Sequence, residues 1–429
     1  MDSTLYTNVR VIDGSGETPF NGEVLVEGEH ISTVSKSGEA LNTAGAKVID
    51  GGGATLMPGL LDAHSHLSFT NTMDPVETAL IPPEDHTLMC VKNARIILDH
   101  GITNCFGAAA TKPRLDVVIR DAIASGDIDG PRLLACSRQL GPTGGFNDER
   151  LPHLGDATPA MSVCCDGPEE FQRATREACR DGVDVIKIVP SASSMRWARL
   201  PLDEDTVMTE QEISAVCDVA HQRNRRVAAH ARSAEAIQRC VRQGVDMIYH
   251  ATLADEETLD ALEEAKDRVF VGPAIGLPVT RLKAGEDRDG GPHAASTARL
   301  RAEIEAVSLC ARELIKRGVR VVPGGDYGFE CNPHGANARE LEYFVNLFGC
   351  TPMQAIVAAT SLAGDVMGQS GKLGRIEAGQ LADLLLVDGD PLADIRILQD
   401  RNNLLAIMKG GLFHKHPTSR VQSFEQAAE

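Results

Sequence analysis

The 429-residue sequence predicts an α/β fold: a (β/α)8 TIM barrel with a small β-sandwich domain formed from both termini. Three observations carry this expectation. From residue 58 to 374, short apolar runs of strand length alternate with stretches of helical period. The two ends of the chain hold short strands separated by turn residues, with no helical period. Side chains of metal-ligand type recur at the C-terminal ends of the central runs, where such a barrel builds its active site.

Residues 1–57 read as the strands TLYTNVRVID, GEVLVEGEHISTVS and AKVIDGGGATLMPG. After Gly374, RIEAGQLADLLLVDGD and LLAIMKGGLFHK read the same way, so residues 1–57 and 375–429 are assigned to the sandwich and 58–374 to the barrel. The polar tail after His416 is expected to be loose. GLLDAHSHL is strand one, and a helix over 86–100 leads to strand two, GITNCFGA. A helix over 115–126 precedes strand three, PRLLACS, and one over 168–181 precedes strand four, VDVIKIV. Thr209 and Glu212 spell a capping box for the next helix, which feeds strand five, RVAAHA. Ser233 caps a helix ending near Gly244, followed by strand six, VDMIYHA. Helices over 255–266 and 296–317 flank strand seven, RVFVGPAI, and the second leads to strand eight, VRVVPGGD. Thr351-Pro352 opens a last helix, with proline at its favoured first position.

Six residues at strand ends spell a metal site: His64, His66, Lys187, His230, His250 and Asp326. Alternate residues of a strand share a face, so His64 and His66 address one space and one metal. A lysine inside the buried run DVIKIV is costly as an ammonium. As a neutral amine it takes up carbon dioxide, and the resulting N6-carboxylysine at Lys187 bridges two cations. His230 and His250 end adjacent strands and form a second metal site. Asp326, after two glycines, serves as ligand and proton acceptor. Two divalent metal ions are therefore expected, with zinc as the metal. Arg232, two residues past His230, is in register to grip a substrate carboxylate. Tyr249 is a weaker candidate contact, because alternation points it away from the mouth. The turn GPTGGFND, with Gly144 and Gly145, reads as a substrate loop, and His334 beyond strand eight as facing the mouth. His86, His100, His221, His293, His414 and His416 are read as ordinary. HExxH, GxxxxGK and GxSxG motifs are absent.

A formal charge of −19 argues against nucleic acid or anionic membranes as partners. Eleven cysteines without paired spacing, an N-terminus lacking a signal-peptide pattern, and no long apolar stretch lead to the expectation of a cytoplasmic protein with reduced thiols.

The six-residue set, strand by strand, resembles that of the amidohydrolase superfamily, and the resemblance covers nearly the whole chain. MPGLLDAHSHLS, VIKIVPSAS, VAAHAR, HGANARELE and TPMQAIVAATSLAGDVMG are similar to its imidazolonepropionase-like, prolidase-like branch. The resemblance implies a binuclear metal-dependent hydrolase cleaving the amide bond of dipeptides or N-acyl amino acids, including aryl amides such as ochratoxin A. It also implies a small-molecule partner and association into a homo-oligomer. Two departures concern the substrate: Phe146 stands where the branch has histidine after its two glycines, and Tyr249 where it has glutamate. The same six residues also serve lactone, carbamate and organophosphate hydrolases. A deaminase of this fold lacks the strand-four lysine ligand, and a non-catalytic relative loses ligands.

Overall fold

The computed structural model describes residues 3–36, 41, 45–72, 75–148, 150–151, 153, 161–192, 205–286, 294–417 and 422–425. His293 lies outside them. Its centre is a closed ring of parallel strands. In order these are Leu60–Ser65, Ile102–Gly107, Arg132–Leu134 continued as Cys136–Gly141, Val185–Ile188, Arg226–Ser233, Met247–Leu253, Phe270–Gly272 and Arg320–Val321. Neighbours pair in parallel around the ring. The bond from the Ala63 amide to the Pro323 carbonyl, 2.8 Å, closes strand eight onto strand one.

Two apolar cores explain why these runs are hydrophobic on both faces. Outward side chains such as Ile186, Ile188, Val227, Ile248 and Val271 pack under the helices. Inward ones, including Leu61, Phe106, Val185, Met247 and Phe270, fill the barrel. Ala363, Val366 and Met367 belong to that inner cluster and bring helix Ser361–Val366 against it. The interior is a packed core, and only the C-terminal ends of the strands are available for chemistry.

The expected caps set the connecting helices. Thr209 and Glu212 satisfy each other's backbone amides at the start of helix Glu210–His221. Ser233 accepts from the Ala236 amide, and Gly244 ends that helix at φ 84°, a conformation costly for other residues. Thr351 and Gln354 form a second capping box, with Pro352 at the first position.

Strands from both chain ends form one nine-stranded, branched sheet with its own core around Tyr6, Val24, Ile31, Leu56, Leu384 and Met408. Val11 and its neighbours pair in parallel with Thr55–Pro58, which pairs antiparallel with Leu384–Val387. The sheet is tied to the barrel by Arg132 to Asp383 at 3.2 Å and by His414 Nε2 to Asp99 Oδ1 at 2.6 Å. The tail differs from the expectation of looseness: Gln422–Glu425 pairs antiparallel with Lys47–Asp50. Helices Pro75–Leu80 and Gly276–Glu286, which the sequence reading did not anticipate, sit in the loops after strands one and seven. All eleven cysteines are free thiols. Among the described residues no helix is long and apolar enough to cross a membrane.

Candidate metal centre

Barrel closure brings the six predicted side chains together at the strand ends. Each is at most 9% exposed. His66 Nε2 lies 3.1 Å and His64 Nε2 3.8 Å from Asp326 Oδ1. One ligand atom from each of His64, His250 and Asp326 lies within 4.8 Å of the others. The His230 and His250 ring centroids are 4.2 Å apart. Lys187 Nζ stands 4.0 Å from the centre of the Tyr249 ring.

The backbone is bent to achieve this. His250 and Ala251 have φ of 73° and 49°, and Asp326 has φ of 58°. Such left-handed values cost about 1–3 kcal/mol each and persist where the surroundings impose them. Here they swing two ligand side chains into the site. Close approach also explains Gly324, where an added Cβ would lie 2.5 Å from the His64 amide nitrogen.

The donor chemistry fits a cation. His66 spends its Nδ1–H on the Ala109 carbonyl, 3.1 Å away, which turns its Nε2 toward the Asp326 carboxylate. Among the described residues His64 Nδ1, His230 Nε2, His250 Nε2 and Asp326 Oδ1 are buried and have no hydrogen-bond partner. Leaving four such atoms unsatisfied in one place is expensive, and metal coordination is the interaction that satisfies them together. Burial holds the imidazoles of His64, His230 and His250 well below their ordinary range, so they are neutral and able to ligate. Burial also pushes the Lys187 ammonium down to about 7. Burial opposes ionisation of Asp326, but His64, His66 and Lys187 in their protonated forms outweigh this and hold its carboxyl well below the usual range.

Three imidazoles are each backed by an aromatic plate, a feature not visible in a chain with only 4% aromatic residues. Tyr249 stacks on His64 at 3.8 Å, Phe69 on His66 at 4.1 Å, and Phe146 on His230 at 4.6 Å between centroids. The plates fix ring orientation, as packing around a site must. Tyr249 corrects the strand-alternation expectation. It points into the barrel, is fully buried, and donates its hydroxyl to the Ala63 carbonyl at 2.7 Å. It therefore lies beneath the candidate ligands and does not line the cavity above them.

Above the six residues opens a cavity of about 710 Å³. Phe69, Phe146, Phe329 and Met161 line it with Leu277 and Leu300. Arg232 also lines it, but already pairs with Glu303 at 2.5 Å and lies 3.5 Å from His250 Nδ1. Arg281 and Arg299 add positive charge to the same wall. The other loop candidates move. The Gly144 amide donates to Asp148 at 2.8 Å and the Gly145 amide to Pro142 at 2.9 Å, so the two glycines form the turn while Phe146 and Asn147 reach the cavity. His334 is buried, meets the Phe69 carbonyl at 3.0 Å through Nε2, and supports Phe69 from outside the cavity. His86, read as ordinary, is wholly buried between the Ser68 carbonyl and Lys112 Nζ, at 2.6 and 2.9 Å.

Two acids are buried behind the candidate ligands, and Asp62 contacts one of them. Asp62 accepts from the His64 amide at 3.0 Å and from Asn337 at 2.7 Å. Glu340 accepts from the Ile275 amide at 3.3 Å, and its Oε2 is buried without a partner. Burial pushes the Glu340 carboxyl up from 4.5 to about 8. Between these two values the folded chain keeps a proton that the unfolded chain has lost, so this group's contribution to stability falls as pH rises through that window. Glu340→Gln removes the titration and keeps the neutral shape. In urea unfolding, the wild-type midpoint should drop relative to the variant from about pH 4.5 to about 8, then run parallel. A constant difference across the window would contradict the protonated state.

The chain has relatives among known proteins. The profile of the amidohydrolase family matches residues 55–413. The Aspergillus niger protein named ochratoxinase is 28% identical over 379 residues, which cover 84% of this chain and 76% of that one. A crystal structure of an amidohydrolase superposes with a TM-score of 0.85 at 29% identity, covering 96% of this chain and 99% of the other. A Xaa-Pro dipeptidase crystallised with methionine in its active site gives 0.83 at 27% identity, covering 97% and 100%.

Proposed function

Because the chain belongs to the amidohydrolase family, and with it to the metal-dependent C–N hydrolases, we propose that it is a binuclear amidase acting on N-acyl amino acids, with aryl amides the favoured class. The observation that carries this reading is the set of four buried, partnerless ligand atoms beneath an aromatic-walled cavity. In it, residues 58–374 form the catalytic unit, and 1–57 with 375–429 the supporting one.

His64 and His66 would hold one divalent ion with Asp326, His230 and His250 would hold a second, and a carboxylated Lys187 would supply the anionic ligand shared between them. Zinc suits this set of nitrogen and oxygen donors. Carboxylation forms a bond between Lys187 Nζ and carbon dioxide and releases one proton to solvent. Divalent ions bound there would supply Lewis acidity toward the scissile carbonyl and the attacking water. Asp326, held ionised, takes the proton of that water as its oxygen bonds to the carbonyl carbon. It then delivers the proton to the leaving nitrogen as the C–N bond breaks, giving an amine and a carboxylic acid that loses its remaining proton to solvent. Phe69, Phe146 and Phe329 receive the acyl group and exclude water around it.

The ochratoxinase relative and the aromatic wall both support an aryl acyl group. Arg232, with Arg281 and Arg299 nearby, supports a substrate that ends in a carboxylate. Arg232→Ala should raise KM for free-carboxylate substrates by about 10–100-fold, the worth of a charge-assisted hydrogen bond. The corresponding primary amides should change little. Equal effects on both would remove Arg232 from this role. The substrate class itself is tested with a panel of N-aroyl amino acids, dipeptides, carbamates and lactones, with products identified by mass. Turnover confined to lactones or carbamates would overturn the amidase reading.

A further inference from the structure

Strand three carries no predicted ligand, yet it presents one side chain to the site. Gln139 is 5% exposed, lines the cavity beside Lys187, and its Nε2 is buried without a hydrogen-bond partner. Its register explains how it gets there. Cys136 pairs with Val185 and shares the inward core with it. Strict alternation would then turn Arg138 inward opposite Lys187. Instead the ladder slips, and the residue paired with Lys187 is Gln139. The extra residue is a bulge, a device that re-aims a side chain beside an active site. Ser137 Oγ accepts the Lys187 amide at 3.0 Å across the irregularity, and Arg138 donates to the Ser162 carbonyl at 3.0 Å.

The substitution of an amide for a guanidinium has a chemical consequence. A guanidinium opposite Lys187 would repel both its ammonium form and any bound cation. A carboxamide offers two N–H donors with no net charge. Paired residues of parallel strands project to the same face, so Gln139 and Lys187 rise side by side. We propose that Gln139 is a positioning residue whose amide donates to the carboxyl group carried by Lys187, holding that group in the orientation that joins the two cations. This rests on the binuclear reading above. It assigns the one inward polar group of strand three and accounts for the bulge that delivers it.

The test uses the zinc-loaded enzyme with ¹³C-bicarbonate. Gln139→Leu removes the donors, and Gln139→Glu keeps the shape but sets a carboxylate against the carbamate. Both variants should lose carbamate ¹³C intensity, and both should bind the weaker-held ion about 10–100-fold less tightly in chelator competition, the usual consequence of deleting a supporting partner. Excess bicarbonate should restore the signal in the leucine variant more than in the glutamate variant. If the leucine variant does not fold, the near-isosteric glutamate variant is decisive by itself. Variants with wild-type carbamate signal and metal affinity would overturn the role of Gln139 while leaving the binuclear reading standing. A wild-type enzyme with no carbamate signal and a single bound ion would overturn both.

Discussion

Asp326→Asn should lower kcat by about 10²–10⁴-fold, the span attributed to a well-placed general acid–base group. Asp326 is the buried acid at the end of strand eight, and its Oδ1 has no hydrogen-bond partner. Asparagine preserves the shape and one ligating oxygen but cannot take up a proton. The effect should therefore fall on kcat, with KM changed far less, because Phe69, Phe146 and Arg232 that line the cavity remain. Steady-state kinetics with an N-aroyl amino acid will separate the two. A variant with near-normal kcat would remove Asp326 from proton transfer and leave it at most a ligand.

Lys187→Met should be more severe. Methionine fills a similar volume within the buried run Val185–Ile188, so the barrel should fold. It cannot be carboxylated, so the proposed bridge between the two metal sites would be lost. Removing a supporting partner of a metal site costs about 10–100-fold in affinity or activity, and removing the bridge itself should exceed that. The expected result is a folded protein with an unchanged circular dichroism spectrum, at least one metal equivalent missing, and activity reduced beyond that range. A methionine variant that retains both ions would exclude the carbamate.

That the six candidate ligands gather in one place is legible in the sequence because each ends an apolar run, and a barrel places such ends in one ring. His64, His66, Lys187, His230, His250 and Asp326 needed only strand assignment. What escaped was set by local departures from regular strand geometry. The positive φ at His250 and Ala251 lets both Tyr249 and His250 address the site, which strict alternation forbids. The bulge between Cys136 and Gln139 exchanges Arg138 for Gln139 without any trace in composition. In the loop after strand three, glycines suggested close approach, but they shape the turn, and Phe146 makes the contact with His230. His334 follows strand eight as expected, yet it packs behind Phe69 because the backbone there doubles back through Asn332. Helix Gly276–Glu286, which contributes Leu277 and Arg281 to the cavity, has no amphipathic pattern strong enough to be read in advance. The pairing of Gln422–Glu425 with Lys47–Asp50 depends on a partner strand far away in sequence. These are all tertiary effects overriding local preference.

The number of ions that the fully active enzyme holds decides between binuclear catalysis and any other. Elemental analysis of protein titrated with zinc, alongside its specific activity, measures this directly. Activity should rise to its maximum as two equivalents per chain are bound, and the ¹³C carbamate signal should rise with it. Maximal activity with one equivalent or none, and no carbamate, would contradict the account.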